Sequence, residues 1–252
     1  MTDSIENSAK VFPRKKILTP EEIELLKKRH IRSFSGRKGH ISHAQENALS
    51  EIFPKYELLY NPKIISSEEI FGRKAPLILE IGPGMGETSA AIAQSHPECD
   101  FIACEVFPAG IGAYSLRIES LGLANVRIIR HDAVDVVNDM IAEGSLAGIH
   151  IFFPDPWRKA RHHKRRLIQP GFTHKLAVRL IPGGYMHLAT DWADYADQML
   201  EVLSGEPLLK NLYDGFSPVA SNPLTERPQT KFQKRGEGLG HQIFDLVFTR
   251  TP

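Results

Sequence analysis

The pattern of apolar and polar positions changes character near residue 76. Before it, apolar residues are sparse and helically spaced. Thr19-Pro20-Glu21-Glu22 predicts a helix start, with Thr as N-cap, Pro at the first helical position and acids behind it. That helix runs through EEIELLKKRH, residues 21–30. Ala44, Leu49, Ile52 and Phe53 fit one or two further helical turns, which Phe53-Pro54 stops. From residue 76 onward, five short apolar runs follow: LILEI (77–81), FIACEV (101–106), VRIIRH (126–131), IHIFF (149–153) and YMHLAT (185–190). Most are separated by stretches long enough for a helix, which predicts βαβ units and a parallel sheet. QIFDLVFTR (242–250) reads as a late strand, with a weaker candidate near 209–219. No clear helix separates these two, so the sheet is expected to end antiparallel.

Composition narrows the class. The chain has 252 residues, 42% hydrophobic and 24% charged, enough for the sizeable core of a soluble globular protein. Thirty-one Lys and Arg against 30 Asp and Glu leave a formal charge of +1, so any affinity for nucleic acid must come from where the charges sit. Cys99 and Cys104 are too few for a disulfide framework or a four-ligand zinc site and are expected to be reduced thiols beside or within a strand. No metal is expected. No apolar stretch approaches the roughly 18 residues of a membrane helix. MTDSIENSAK lacks the apolar core of a secretory signal. A cytoplasmic enzyme or binding protein fits, with residues 1–31 a basic tail and helix and residues 32–252 a single domain.

Candidate chemistry begins after the first apolar run, in Glu80-Ile81-Gly82-Pro83-Gly84-Met85-Gly86-Glu87. The glycines are spaced G-x-G-x-G. A pyrophosphate turn wants the following helix N-terminus open to phosphate. Here acids stand at both ends of the loop, which disfavours a polyanion and suits a cationic cofactor such as S-adenosylmethionine. The acids fall in a pattern. Glu80, Glu105, Asp132, Asp155 and Asp191 each end or follow one of the five runs. In a parallel sheet they share the carboxyl edge, where open α/β folds bind ligands. Glu105 lies 19 residues past Gly86, the spacing of an acid that holds ribose hydroxyls. Asp132 is placed to accept from an adenine amino group.

The fourth run stops at Pro154-Asp155-Pro156-Trp157 and turns basic in RKARHHKRR, residues 158–166. Two prolines restrict the backbone on either side of Asp155. Trp157 offers a flat face on which a base could stack. Six of the next nine residues are Lys or Arg. Leaving the sheet at its ligand edge, such a block acts as a funnel for phosphates, which Arg127, Arg130, segment 27–38, Lys231, Lys234 and Arg235 extend. The partner implied is nucleic acid.

With these motifs assembled, the sequence resembles the class I S-adenosylmethionine-dependent methyltransferases, and within them the bacterial tRNA (guanine-N7)-methyltransferases. GRKGHISHAQENAL, LEIGPGMGE, the PDPW-to-HKRR stretch, LIPGGYMHLATDW and TKFQKRGEGLGHQIFDLVFTR carry the resemblance over about residues 32–250. It implies a Rossmann-like α/β fold with a mostly parallel seven-stranded sheet, helices on both faces and an antiparallel C-terminal strand. It implies methyl transfer to N7 of a guanosine in the variable loop of tRNA. It assigns cofactor contacts to Glu80, Gly82, Gly84, Gly86, Glu105, Asp132 and Asp155, with Asp155 also catalytic. Substrate contacts fall on Lys159, Asp191, Thr230, Lys231, Phe232 and Gln233. RNA contacts fall on Arg161, His162, His163, Lys164, Arg165 and Arg166. The family usually carries Glu where this chain has Gln233, and a bulkier residue where it has Pro83. No obligatory protein partner is expected, and the chain is expected to be a monomer or a homodimer. Two rivals remain: methylation of an exocyclic amine, and a nucleic-acid-binding protein on a methyltransferase fold without activity.

Overall fold

All five predicted apolar runs are strands of one sheet in the computed structural model, which describes residues 31–35, 40–218 and 242–252. Residues 33 onward belong to one compact unit. The predicted helix at 20–30 lies outside the described residues, as do the Thr230–Gln233 run, Lys234 and Arg235. The parallel strands are β1 (Leu77–Ile81), β2 (Asp100–Cys104), β3 (Val126–Ile129), β4 (Leu146–Phe152) and β5 (Leu180–Thr190). Short β6 (Leu209–Asn211) and β7 (Phe244–Arg250) close the sheet antiparallel, in the order β3-β2-β1-β4-β5-β7-β6. The order reverses between β1 and β4, the switch point where such folds open a ligand crevice.

Among the described residues, seven helices connect and flank the strands: α1 (His43–Glu51), α2 (Ser67–Phe71), α3 (Glu87–Ser95), α4 (Pro108–Leu121), α5 (Ala133–Asp139), α6 (Pro170–Arg179) and α7 (Ala193–Ser204). The period-two alternation of β1 divides the core. Leu77, Leu79 and Ile81 pack with residues of α5, α6 and α7 on one face. Ile78 packs with Ala90 and Ile92 of α3 and with Ile111, Tyr114 and Ile118 of α4 on the other. A sheet covered on both faces needs apolar side chains on both, which is why its strands read as continuous apolar runs.

α1 is the helical stretch expected from Ala44, Leu49, Ile52 and Phe53, and it ends just before Phe53-Pro54. Ser42 caps it and Gln45 returns the bond, completing a capping box. Its approach to α4 is set by Gly112, where a Cβ would lie 2.3 Å from Gln45 O. The HISHAQENAL segment, residues 40–49, is thereby carried against the helix that follows β2. From there Gln45 Nε2 reaches Met85 Sδ of the glycine loop at 3.5 Å.

Candidate active site

The glycine loop is built from left-handed backbone. Gly82, Gly84 and Gly86 have φ of 73, 57 and 69°, conformations that cost a residue with a Cβ about 1–2 kcal/mol. They differ in what they face. At Gly86 a Cβ would strike the Tyr114 ring at 2.2 Å, so this glycine seats the loop on α4. Gly110 of α4 does the same from the other side, its absent Cβ leaving room for Gly84 O at 2.7 Å. At Gly82 and Gly84 nothing lies within 4 Å of the missing Cβ. What a side chain would fill there is cavity.

Two cavities share Gly82, Gly84, Phe152 and Phe153. The first, about 210 Å³, is lined by Glu105, His131, Asp132 and Asp155, with Ser33 and Phe34 on the N-terminal side. The second, about 350 Å³, is lined by Glu80, the loop, Ser89 and Asp191. All five acids read from the strand ends therefore reach one crevice.

Their environments differ. Glu80 is 3% exposed and accepts a hydrogen bond from Ser89 Oγ at 2.6 Å. Burial pushes its carboxyl up to about 7, against the pull of Ser89 and with a further push from Glu105. Glu105 is 4% exposed. Its Oε2 accepts from Gly84 N–H at 2.9 Å and its Oε1 from Val106 and Phe107 N–H at 2.6 and 2.9 Å. Burial raises its pKa, those three amides draw it back and Asp155 adds a push. A carboxylate has about four acceptor sites, so the acid expected to hold ribose already spends three, one on the glycine loop and two on the turn that follows it. Asp132 caps α5, accepting from Val134 N–H at 3.0 Å.

Asp155 is exposed at the rim of the first cavity. The protein around it raises its pKa, while the Ser35 backbone N–H and Arg165 draw it back. Its direction is set by more than the two prolines. Phe153 and Trp157 bracket the Pro-Asp-Pro unit with φ of 52 and 45°. Side-chain-bearing residues in that region each store about 1–3 kcal/mol, sustained only where the surroundings impose it. Phe153 N–H donates to Ala189 O of β5 at 2.7 Å, and Trp157 Nε1 donates to Ser33 O at 2.8 Å.

Three sequence expectations need correction. Trp157 was expected to stack a base, but the Arg165 guanidinium lies over its ring at 4.1 Å and His162 stands edge-on at 5.8 Å. It is the anchor of the loop. Arg166 was expected to contact RNA, yet it is 3% exposed, ion-paired with Asp194 and bonded to Pro156 O and Gln198. Arg127 does not extend the basic funnel: it binds Ala124 O and Val126 O at the beginning of β3 and covers Phe71. The block keeps Arg158, Lys159, Arg161 and Lys164 exposed, the last two on a 3₁₀ turn, Ala160–Arg165. His162 and His163 are half-buried, and burial together with the neighbouring cations holds His162 below the usual histidine range.

A family model described as "Putative methyltransferase" matches residues 74–246. The tRNA (guanine-N(7)-)-methyltransferase of Bordetella parapertussis is 56% identical over 221 residues, 88% of this chain and 85% of that one. The enzyme of the same name from Nitrosospira multiformis is 52% identical over 222 residues, 88% of this chain and 95% of its own length. The chain belongs to the tRNA (guanine-N7)-methyltransferase family. Among solved structures, the 16S rRNA methyltransferase KamB superposes with a TM-score of 0.50 at 14% identity, covering 88% of this chain and 99% of that one, which matches the fold alone.

For a methyltransferase of this family the crevice fits S-adenosylmethionine on its own chemistry. Gly82 and Gly84 leave a cradle that a Cβ would fill, and Glu80 is a buried acid that an ammonium would neutralise. Sequence reasoning missed three parts of this tRNA (guanine-N7)-methyltransferase site. Ser33 and Phe34 line the first cavity, brought there by a basic loop with no periodicity to place it. Phe152 and Phe153 belong to both cavities, but they read as the end of an apolar run. Under Phe152 lie two buried histidines, His150 bonded to Tyr185 Oη at 2.9 Å and His187 bonded to Asp245 at 2.7 Å. Burial pushes His150 down to about 3, so it is neutral. The one histidine inside each of β4 and β5 was the available signal.

Proposed function

We propose that this chain transfers the methyl group of S-adenosylmethionine to N7 of a guanosine in the variable loop of tRNA. It would do so as a cytoplasmic monomer or homodimer without an obligatory protein partner. The observation that carries the reading is Asp155. It stands on a strained, doubly anchored turn at the rim of the cavity that Glu105 and Asp132 line, and exposed cations leave the sheet beside it. No helix among the described residues is long and apolar enough to cross a membrane.

The bound cofactor supplies an electrophilic methyl on a sulfonium. Glu80, which lines the second cavity, would balance its ammonium. Glu105 would offer its remaining acceptor site to ribose and Asp132 would take the adenine amino group; Gly82 and Gly84 keep the crevice clear, and Gly86 seats the loop against Tyr114. Guanine N7 has an in-plane lone pair and needs no deprotonation. The protein's task is therefore alignment and electrostatics. Asp155 accepts from the N–H groups of guanine and stabilises positive charge developing on its imidazole ring. Asp191 is a second acceptor. Lys159, Arg161 and Lys164 take phosphates, with His162, His163 and Arg165 behind them. Thr230, Lys231, Phe232 and Gln233 complete the guanine contacts, as the family resemblance assigns them.

The deciding experiment incubates the protein with bulk tRNA and labelled cofactor, then analyses the nucleosides. Labelled 7-methylguanosine is the expected product. Label on an exocyclic amine would overturn the reading, and the absence of both cofactor binding and transfer would leave a nucleic-acid-binding protein.

A further inference from the structure

We propose that Arg166 is a positioning residue that fixes the separation of the two carboxylates facing the base, Asp155 and Asp191. The inference rests on Asp155 acting on the base, as proposed for the reaction. Arg166 follows five exposed or half-buried basic side chains, yet it alone in the run is buried. Its Nε donates to Pro156 O at 2.9 Å, on the residue directly after Asp155. Its Nη1 donates to Gln198 Oε1 at 2.6 Å and its Nη2 to Asp194, both on α7, which begins two residues after Asp191. The guanidinium lies over the Tyr195 ring at 4.8 Å, and Tyr195 Oη accepts from Ile168 N–H at 3.1 Å. One planar side chain thus grips the loop after β4 and the helix after β5.

Only arginine has this reach. Its guanidinium offers five donors in a rigid fork and keeps its charge when buried, while a lysine ammonium is a single point. The loop it holds carries two strained residues, Phe153 and Trp157, and needs outside contacts to keep that form. Asp194, 61% exposed, is the accessible end of the bracket. Arg166 touches neither cavity, so it acts through the two acids and not on the substrate.

The test compares Arg166→Lys, Asp194→Asn and Asp155→Asn with the parent in single-turnover methyl transfer at saturating tRNA and cofactor. Cofactor affinity, the salt dependence of tRNA binding and thermal unfolding are measured alongside. A misplacement of about 1 Å costs up to about 100-fold in rate, so Arg166→Lys is expected to slow transfer about 10- to 100-fold, and Asp194→Asn less. Salt slope and cofactor affinity should hold. In an Asp155→Asn background, Arg166→Lys should have little further effect, because the charge whose placement against Asp191 it fixes is already removed. A purely structural residue would lower the melting temperature and leave the rate of folded molecules unchanged. A rate within threefold of the parent, additive losses in the double variant, or a flattened salt slope would each overturn the proposal. Should Arg166→Lys fail to fold, Asp194→Asn alone decides by the same rate and double-variant criteria. If Asp155→Asn itself transfers at the parental rate, the reading of Asp155 fails instead.

Discussion

The two halves of the crevice are built on opposite principles. On the β1–β2 side, rigidity is backbone-made: three left-handed glycines, a loop seated on Tyr114 and Gly110, and a carboxylate consumed by three main-chain amides. Its acids are buried. On the β4–β5 side the key acid is exposed, the backbone is strained at aromatic residues, and the loop is held by side chains: Trp157 to Ser33 O, Arg166 to Pro156 O and Asp194. A small cofactor can be enclosed by a fixed backbone cradle. A base that arrives on a polymer needs an open face, so the rigidity there must be supplied from behind. The difference predicts that substitutions on the first side weaken cofactor binding and those on the second slow the chemical step.

The largest expected effect tests the open side. Asp155→Asn keeps shape and one acceptor oxygen but removes charge, and a lost preorganised electrostatic group costs on the order of 10²–10³ in rate. Single-turnover transfer measures it, with cofactor affinity expected to hold. Tenfold weaker cofactor binding would move Asp155 to the other half of the comparison.

The next tests the enclosed side. Glu105→Ala strands three backbone donors and removes charge-assisted bonds of about 1.5–3 kcal/mol each. Calorimetry should show S-adenosylmethionine affinity lower by at least about tenfold. If affinity is unchanged, Glu105 is neither a ribose ligand nor the tie that shapes the loop.

Glu80 sharpens the contrast through pH. Its folded pKa, about 7, lies above the ordinary range of 4.5. The folded state therefore holds the proton more tightly than the unfolded chain. Stability of the cofactor-free protein should fall as pH rises from about 4.5 through 7, since the unfolded state releases that proton first. A cationic cofactor favours the ionised form, so its affinity should rise over the same window by less than about tenfold per pH unit. Glu80→Gln, which retains an acceptor for Ser89, should abolish both trends. Persistence of either in thermal melts or calorimetry assigns the proton to another group.

The smallest effect belongs to the outer surface. Neutralising Arg161 and Lys164 together should flatten the salt dependence of tRNA binding by about one unit for each phosphate left without its cation, with transfer at saturation unchanged. An unaltered slope would make the turn a solvated face. Beside the Arg166 result, this pair separates cations that touch RNA from the cation that shapes the site.

How much of this was legible in the sequence follows from the range of each cause. Apolar runs and their helical spacers are local, and they gave five strands whose ends collect Glu80, Glu105, Asp132, Asp155 and Asp191 on one edge. Topology alone does that, because parallel strands share a carboxyl end. The glycine spacing, with acids at both ends, was equally local. The basic run was not. Arg158 through Arg166 are chemically alike along the chain, and nothing in their order tells which one turns inward. Arg166 is buried because α7 brings Asp194, Gln198 and Tyr195 to it from 28 to 32 residues away. Trp157 shows the same limit: an indole beside cations reads as a platform for a base until Arg165 is found on its face and Ser33 on its edge. The sequence by itself determined the sheet, its ligand edge and the acids along it, since those depend on period and connection. Only the tertiary structure decided which charges stay exposed and which are spent on shape, because burying a cation requires partners that no local pattern encodes.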